Sequence, residues 1–260
     1  SVQGGGSARI DPGGSLNLVV AAVDSDCDPA DSLRIEFDVD SIPLSGGHNH
    51  DGNTPNGVVN PDTGWTDEDG RLTTTFSGPV DTCGPPECTG IIVQGIAGKY
   101  IVWARSSDTP GNPWDSLHIE SRVVPPLGAL EEGDHWNLVG ETPEHPDNHY
   151  GTASANQHLR DIGWEFDSTL EARGQLIPPG GLVNYNDQSL IWGGLFDIGG
   201  SYGSLWHCPH CLHHDGTHCD IVKFCDIYRD TLLERIIEDH GTIIHDIDCP
   251  DPRAHWHAQF

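Results

Sequence analysis

Leu33-Arg34-Ile35-Glu36-Phe37-Asp38-Val39 alternates apolar and charged residues without a break. Successive side chains of a strand point to opposite faces, so this period reads as a half-buried strand. Working outward, Leu16-Asn17-Leu18-Val19-Val20-Ala21-Ala22-Val23 is a second run of β type, closed by the turn Asp24-Ser25-Asp26-Cys27-Asp28-Pro29. Arg71-Leu72-Thr73-Thr74-Thr75-Phe76 follows an Asp69-Gly70 turn, and Gly90–Gly95 and Tyr100–Ala104 follow in the same manner. Short strands at this spacing with no helical period predict an antiparallel sandwich over residues 1–125.

The composition narrows the function classes. The 260 residues hold 40 acidic against 12 basic side chains, a formal charge of −28. Phosphate binding needs clustered Lys and Arg, so a nucleic-acid partner is not expected. No apolar run reaches the roughly 18 residues of a membrane-spanning helix. The chain starts at Ser1 and contains no Met, which suits an exported protein whose signal peptide has been removed. Eight cysteines fit an oxidising, extracellular setting, with metal binding as the alternative use. A local bridge is expected across Cys83-Gly84-Pro85-Pro86-Glu87-Cys88, leaving Cys27 over in the first domain and five cysteines in the second. Both counts are odd, so a disulfide between domains is permitted. There is no Asn-x-Ser/Thr sequon.

Three details of the first domain are similar to bacterial Ig-like repeats. They are the Val20-x-Ala22-x-Asp24 opening, the Asp69-Gly70-Arg71 turn before a Thr-rich strand, and Ile101-x-Trp103-Ala104. The resemblance implies a spacer, adhesion or targeting module. Two stretches there are candidates for cations. Asp24, Asp26, Asp28 and Asp31 resemble a Ca2+ loop, although Pro29 stands where an EF-hand needs glycine. His48-Asn49-His50-Asp51-Gly52 places two imidazoles and a carboxylate together, and its Gly/Asn content also fits a plain solvated loop.

Val123-Val124-Pro125-Pro126-Leu127-Gly128 and the acidic Glu131-Glu132-Gly133-Asp134 mark a linker over 126–134. Beyond it, Leu159, Ile162, Phe166 and Leu170 make a helical stripe over 153–172, with Thr152 or Ser154 as its cap. Phe224, Ile227, Tyr228, Leu232 and Ile236 do the same over 221–240, ending at Gly241. Leu190–Trp192 and Leu195–Ile198 read as strands around Gly193-Gly194. Helices and strands without βαβ regularity predict an α+β domain over 135–260. His145 and His149, ahead of the first helix, are candidates to line its cleft.

The chemistry concentrates in His213-His214-Asp215-Gly216-Thr217-His218-Cys219-Asp220 and His255-Trp256-His257. A His and an Asp flanking a glycine-centred loop can turn to one ion, and two histidines two apart on a strand face the same side. Three protein ligands with a fourth position open to water define a catalytic zinc site. Cys208-Pro209-His210-Cys211, with His207, Cys219, Cys225 or Cys249, could instead build a structural zinc site, but disulfides are the preferred reading of these cysteines.

His213-x6-Asp220 with Gly216, followed by His255-x-His257, resembles the metallopeptidases grouped around lysostaphin, D-Ala-D-Ala peptidases and sonic hedgehog. Asn186-Asp187-x-Ser189-Leu190 and Gly193-Gly194-Leu195-Phe196-Asp197 add to the likeness. The resemblance spans about residues 135–260. It implies Zn2+ held by His213, Asp220 and His257, with His255 as the catalytic imidazole. It also implies a peptide substrate, with peptidoglycan cross-links as the candidate. Two positions depart from the pattern: Cys211 stands where some branches carry Ser, and His218 where Ala is frequent. The other reading consistent with these residues is an extracellular structural or adhesive protein that self-assembles and keeps a structural or vestigial metal site.

Overall fold

The computed structural model describes residues 2–3, 6–49, 55–83, 91–109, 111, 113–175, 181–197 and 212–260. The chain separates into two compact units. One comprises Ser1–Gly46, His50–Val124 and Asp197–Pro209, the other Gly47–Asn49, Pro125–Phe196 and His210–Phe260.

The first unit is all β. Its strands are β1 (Val2–Gln3), β2 (Gly6–Ile10), β3 (Ser15–Ala22), β4 (Arg34–Ile42), β5 (Val58–Asn60), β6 (Thr63–Trp65), β7 (Arg71–Ser77), β8 (Val80–Cys83), β9 (Ile92–Gly95), β10 (Gly98–Arg105) and β11 (Trp114–Ser121). One sheet runs β1-β3-β7-β5 and the other β2-β11-β10-β4-β6, while β8 and β9 pair as a separate ribbon. Leu18, Val59 and Phe76 from the first sheet share one core with Val39, Tyr100, Val102 and Ile119 from the second. Two sheets joined by a common apolar layer make a sandwich, as the alternation in β4 predicts. Ile35 and Val39 are buried, while Glu36, Asp38 and Asp40 point away from the core. Strand β11, a long partner of β10, has an irregular polar pattern that the sequence reading did not single out.

The second unit is built on one five-stranded sheet. Its strands are β12 (Gly128–Ala129), β13 (Trp136–Leu138), β14 (Tyr150–Gly151), β15 (Val183–Tyr185), β16 (His218–Val222), β17 (Thr242–Ile247) and β18 (His255–Gln259), with helices α1 (Ala153–Ala172) and α2 (Ile227–His240). The sheet order is β13-β15-β16-β18-β17, and β12 pairs with β14 apart from it. Leu159, Ile162, Phe166 and Leu170 of α1 pack with Leu233, Ile236 and Ile237 of α2 against Cys219, Ile221, Trp256 and Ala258 of the sheet. Both helices thus cover one face. Thr152 caps α1, its side chain accepting from the Ala155 amide. Among the described residues no helix is long and apolar enough to cross a membrane.

Two sequence expectations are corrected. Helix α2 starts at Ile227, because Ile221 and Val222 belong to β16 and Asp226 is the cap, accepting from the Arg229 amide. Gly241 caps the end of α2 as expected, in an extended conformation with its amide donating to the Ile237 carbonyl. Leu190–Trp192 and the segment through Asp197 are turn and loop, with Gly193 and Gly194 at φ 68° and 76° reversing the chain. A short apolar run is buried here without a strand partner, which periodicity alone does not reveal.

Cys225 and Cys249 are joined in a disulfide, and among the described residues Cys27 and Cys219 are free thiols. The expected Cys83–Cys88 bridge and the stretch from His207 to Cys211 lie outside the described residues. The Cys225–Cys249 bridge, with a sequence separation of 24, encloses all of α2 and β17. On the loop-entropy estimate it is worth about 3.5 kcal/mol. The Cys225→Ser/Cys249→Ser double variant is expected to lose about that much stability. Chemical denaturation, with hydrogen exchange in β17 and β18, measures it; unchanged protection there would show that the bridge holds nothing.

Candidate metal centre

Strands β16 and β18 pair antiparallel in the register Cys219↔Ala258, Asp220↔His257, Ile221↔Trp256 and Val222↔His255. Directly opposed residues share a face of the sheet. Cys219, Ile221, Trp256 and Ala258 enter the helical core. Alternation therefore delivers His218, Asp220, His255 and His257 to the other face. Cys219, a conceivable zinc ligand by sequence, points into the apolar side, and its thiol pKa is pushed well up by burial.

His213 reaches the same face from the loop preceding β16. Gly216 sits at φ 73°, and a Cβ there would lie 2.8 Å from Leu127 and 2.9 Å from Gly151. Its carbonyl accepts from the Thr152 amide at 2.9 Å, anchoring the loop at the start of α1. The Asp215 carboxylate accepts from the Thr217 amide and hydroxyl, closing the turn into the strand.

Ligand atoms of His213, Asp220 and His257 all lie within 4.8 Å of one another, and all three residues are buried. His213 Nε2 is 3.3 Å and His257 Nδ1 2.7 Å from Asp220 Oδ1. Tetrahedral zinc with bonds of 2.0–2.1 Å places its ligands about 3.3 Å apart. The first contact matches that edge, and the second needs to open by a few tenths of an ångström. Asp220 Oδ1 and His257 Nε2 are buried without a hydrogen-bond partner, so the close imidazole–carboxylate approach lacks hydrogen-bond geometry. The donor set fits zinc: two imidazoles and a carboxylate converge on one point.

The surroundings orient the ligands. His213 Nδ1 lies 2.7 Å from the Gln188 carbonyl and donates to it, so Nε2, 3.3 Å from Asp220 Oδ1, is the nitrogen a metal ion would take in exchange for its proton. Gln188 is held in turn, its side-chain amide donating to Asn156 Oδ1 at 2.9 Å, and Asn156 donates to the Gly128 carbonyl at 2.8 Å. Gln188 is the position skipped in the Asn186-Asp187-x-Ser189 likeness; no sequence signal marks its carbonyl. Asp187 accepts from Asn148 Nδ2 at 2.8 Å, and its backbone carbonyl accepts from the Asp220 amide at 2.9 Å. Burial, against the opposing effect of His213, pushes the Asp187 pKa up to about 6.

His255 is the least buried of the four expected site residues, its side chain 19% exposed. Its Nδ1 lies 2.6 Å from the Arg253 carbonyl and therefore donates, leaving Nε2 as a base 3.5 Å from Asp220 Oδ2. His218, where the family resemblance expects Ala, packs its ring 5.5 Å from that of His257. His145 and His149 are not among these ligands. His145 is separated from His213 by the Phe196 ring, 5.5 Å from one and 5.8 Å from the other. His149 Nε2 lies 3.2 Å from the Tyr185 carbonyl. His48, read from the sequence as a cation candidate or part of a solvated loop, is buried in this unit with its ring 5.4 Å from His145; His50 and Asp51 lie outside the described residues. In the first unit, Asp24 Oδ1 accepts from the Asp26 and Asp28 amides, which accounts for the acidic run as a turn. Among the described residues, Asp24, Asp26, Asp28 and Asp31 belong to no group of three possible metal ligands.

No family model matches the chain, and neither does any curated protein. Among solved structures it is similar to WR4, a member of the C. elegans MSP family, at 13% identity and TM-score 0.26, covering 44% of this chain and 91% of that one. A Pseudomonas aeruginosa CupB2 chaperone gives 11% and 0.25 over 46% of this chain and 55% of its own, so about half its length is spanned. The ASH/PapD-like domain 7 of human CEP192 gives 12% and 0.25, over 44% and 80%. At these scores none of them bears on function.

Burial alone would raise the Asp220 pKa; His213 and His257 outweigh it and hold the carboxyl well below its usual range. Burial alone would lower that of His213, yet Asp220, with Asp187 behind it, raises it above the ordinary value. Burial, helped by His213 and His218 against Asp220, takes His257 down to about 4. In metal-free protein, Asp220→Asn removes the charge that supports protonated His213, so burial then dominates. The His213 titration is expected to fall below the ordinary histidine value, measured by imidazole 15N shifts against pH. An unmoved midpoint would mean that Asp220 does not govern His213.

Proposed function

We propose that this chain is a secreted zinc-dependent peptidase, with His213, Asp220 and His257 holding the ion and His255 as the proton-handling residue. One observation carries the reading: two imidazoles converge on Asp220 Oδ1, while a third, more exposed imidazole turns its Nε2 to the other carboxylate oxygen. When bound, zinc supplies Lewis acidity for a carbonyl and lowers the pKa of its water to about 7. His213 is pre-set for the task by the Gln188 carbonyl, which fixes its tautomer. Asp220 and His257 are set by strand register, so neither has to be ordered when the ion arrives. His255 Nε2 can take a proton from an attacking water and return it to a leaving amine, because Nδ1 is already committed to Arg253.

A peptide is the substrate class implied by the resemblance to the lysostaphin and D-Ala-D-Ala peptidase group, and a cross-link peptide of peptidoglycan is the specific candidate. The charge of −28 disfavours approach to anionic wall polymers at low salt. The Cys225–Cys249 bridge supports an oxidising compartment and hence export. A purely structural ion would have no use for the partly exposed, hydrogen-bond-oriented His255, and that favours catalysis over the adhesive reading.

Elemental analysis and peptide hydrolysis test both parts of the proposal. Wild type is expected to bind zinc stoichiometrically, and His213→Ala, Asp220→Ala and His257→Ala to lose it. His255→Ala is expected to keep zinc while turnover drops by about 10²–10⁴-fold. A wild-type chain that takes up no zinc removes the metal site. Full zinc with no cleavage of any peptide or murein substrate leaves the site structural and ends the enzyme reading.

A further inference from the structure

The outward face of the first unit's larger sheet carries an arrangement that the metal centre does not explain. Glu36, Asp38 and Asp40 stand on alternate residues of β4, all turned from the core. Register places Trp103 of β10 beside Asp38 and Trp65 of β6 beside Arg34. Trp114 of β11 is opposite Arg105. The row of carboxylates therefore runs along Trp103, with Trp65 beyond it at the Arg34 end. Trp114 and Trp65 are 63% and 62% exposed, on a face turned from the sandwich core. Trp103 and Trp114 meet at 5.0 Å between ring centroids with 64° between their planes. With the carboxylates and Arg105 they wall an open cleft of about 660 Å³, within the size range of ligand-binding clefts.

We propose that this cleft binds a neutral oligosaccharide. A pyranose ring presents weakly positive C–H groups on its flat side, which the negative face of an indole attracts. Its hydroxyls require acceptors and donors around that platform, and the cleft offers both. Asp40 Oδ2 accepts from Trp103 Nε1 at 2.7 Å, which fixes the indole and leaves the other oxygen for a hydroxyl. Asp38 accepts from the Val39 amide at 2.9 Å and likewise keeps an oxygen over. Glu36 is held by Arg34 at 2.8 Å and Arg105 at 3.4 Å, so an arginine edge supplies donors without a free positive charge. Among the described residues no Lys or Arg pairs with Asp38 or Asp40. Uncompensated carboxylates repel uronates and sulfated sugars, which restricts the ligand to uncharged glycans.

An alkylammonium group is the competing ligand, since tryptophan faces and carboxylates also attract cations. Size and exposure decide against it. An ammonium head occupies a small part of this cleft, and on indoles this open to water it keeps its hydration. A glycan fills the length of the carboxylate row and tolerates a solvated outer side.

The test uses the full chain on insoluble chitin, cellulose and β-1,3-glucan. Titrations with the matching soluble oligosaccharides follow by tryptophan fluorescence. Retention on at least one matrix is expected, together with a fluorescence change on titration. Trp114→Ala is expected to weaken binding by about tenfold or more, with only a small drop in the thermal unfolding midpoint from the lost contact with Trp103. Asp40→Asn is expected to weaken it as well, while zinc content stays at the wild-type level. Failure to bind any of the three glycans overturns the proposal, as does binding that Trp114→Ala leaves intact. Preference for polygalacturonate, or displacement by a lysine-rich peptide at matching concentration, also overturns it.

Discussion

The pairing of β16 with β18 is the constraint on which the second unit depends. Side chains alternate with a period of two along a strand, so slipping the register by one residue would exchange the two faces. Trp256 and Cys219 would then meet solvent while Asp220 and His257 entered the helical core. The apolar cluster of α1, α2 and the sheet therefore fixes the position of the ligands as firmly as any contact among them. Lys223 reinforces the pairing from the flank. Its ammonium lies 5.0 Å from the centre of the Trp256 ring and pairs with Asp246 of β17 and with Asp248. The Cys225–Cys249 bridge ties the loops beyond them.

What that register assembles is costly in isolation. A carboxylate and two imidazoles are removed from water on the same face, and burial opposes the charged form of each. Asp220 stays ionised because imidazoles surround it, and His213 is favoured as a cation because Asp220 and Asp187 face it. A divalent cation would satisfy the carboxylate and both lone pairs at once, linking metal affinity to the stability of the sheet. Gln188 and Asn156 extend this to the first turn of α1, so the helix that completes the core also orients a ligand.

The two units put polar residues to use differently. In the second, the face bearing Asp220, His255 and His257 is largely buried and its geometry is set by packing on the opposite side. In the first, the sandwich core needs only the inward residues of β4 and β10, leaving the outward ones unconstrained by stability. Tryptophans and carboxylates on such a face cost little to keep. Their clustering therefore says more about binding than about folding.

Much of this was legible from residues alone. The 3.6 period through Leu159, Ile162, Phe166 and Leu170 located α1 with its Thr152 cap, and alternation located β4 and the shared side of His255 and His257. Local periodicity works where one element has one wet and one dry face. It failed at Ile221–Phe224, where apolar residues at the strand end and in the loop after it continue the helical spacing, and at Leu190–Trp192, where a buried turn has no period at all. It passed over Gln188, whose contribution is a backbone carbonyl that every residue type possesses. By itself the sequence determined which side chains could meet, through spacing, alternation and the glycine at 216. Only the tertiary structure decided that they do. The distance from His213 to His257 is set by how a loop, two strands and two helices close around one core, and no local pattern encodes that closure.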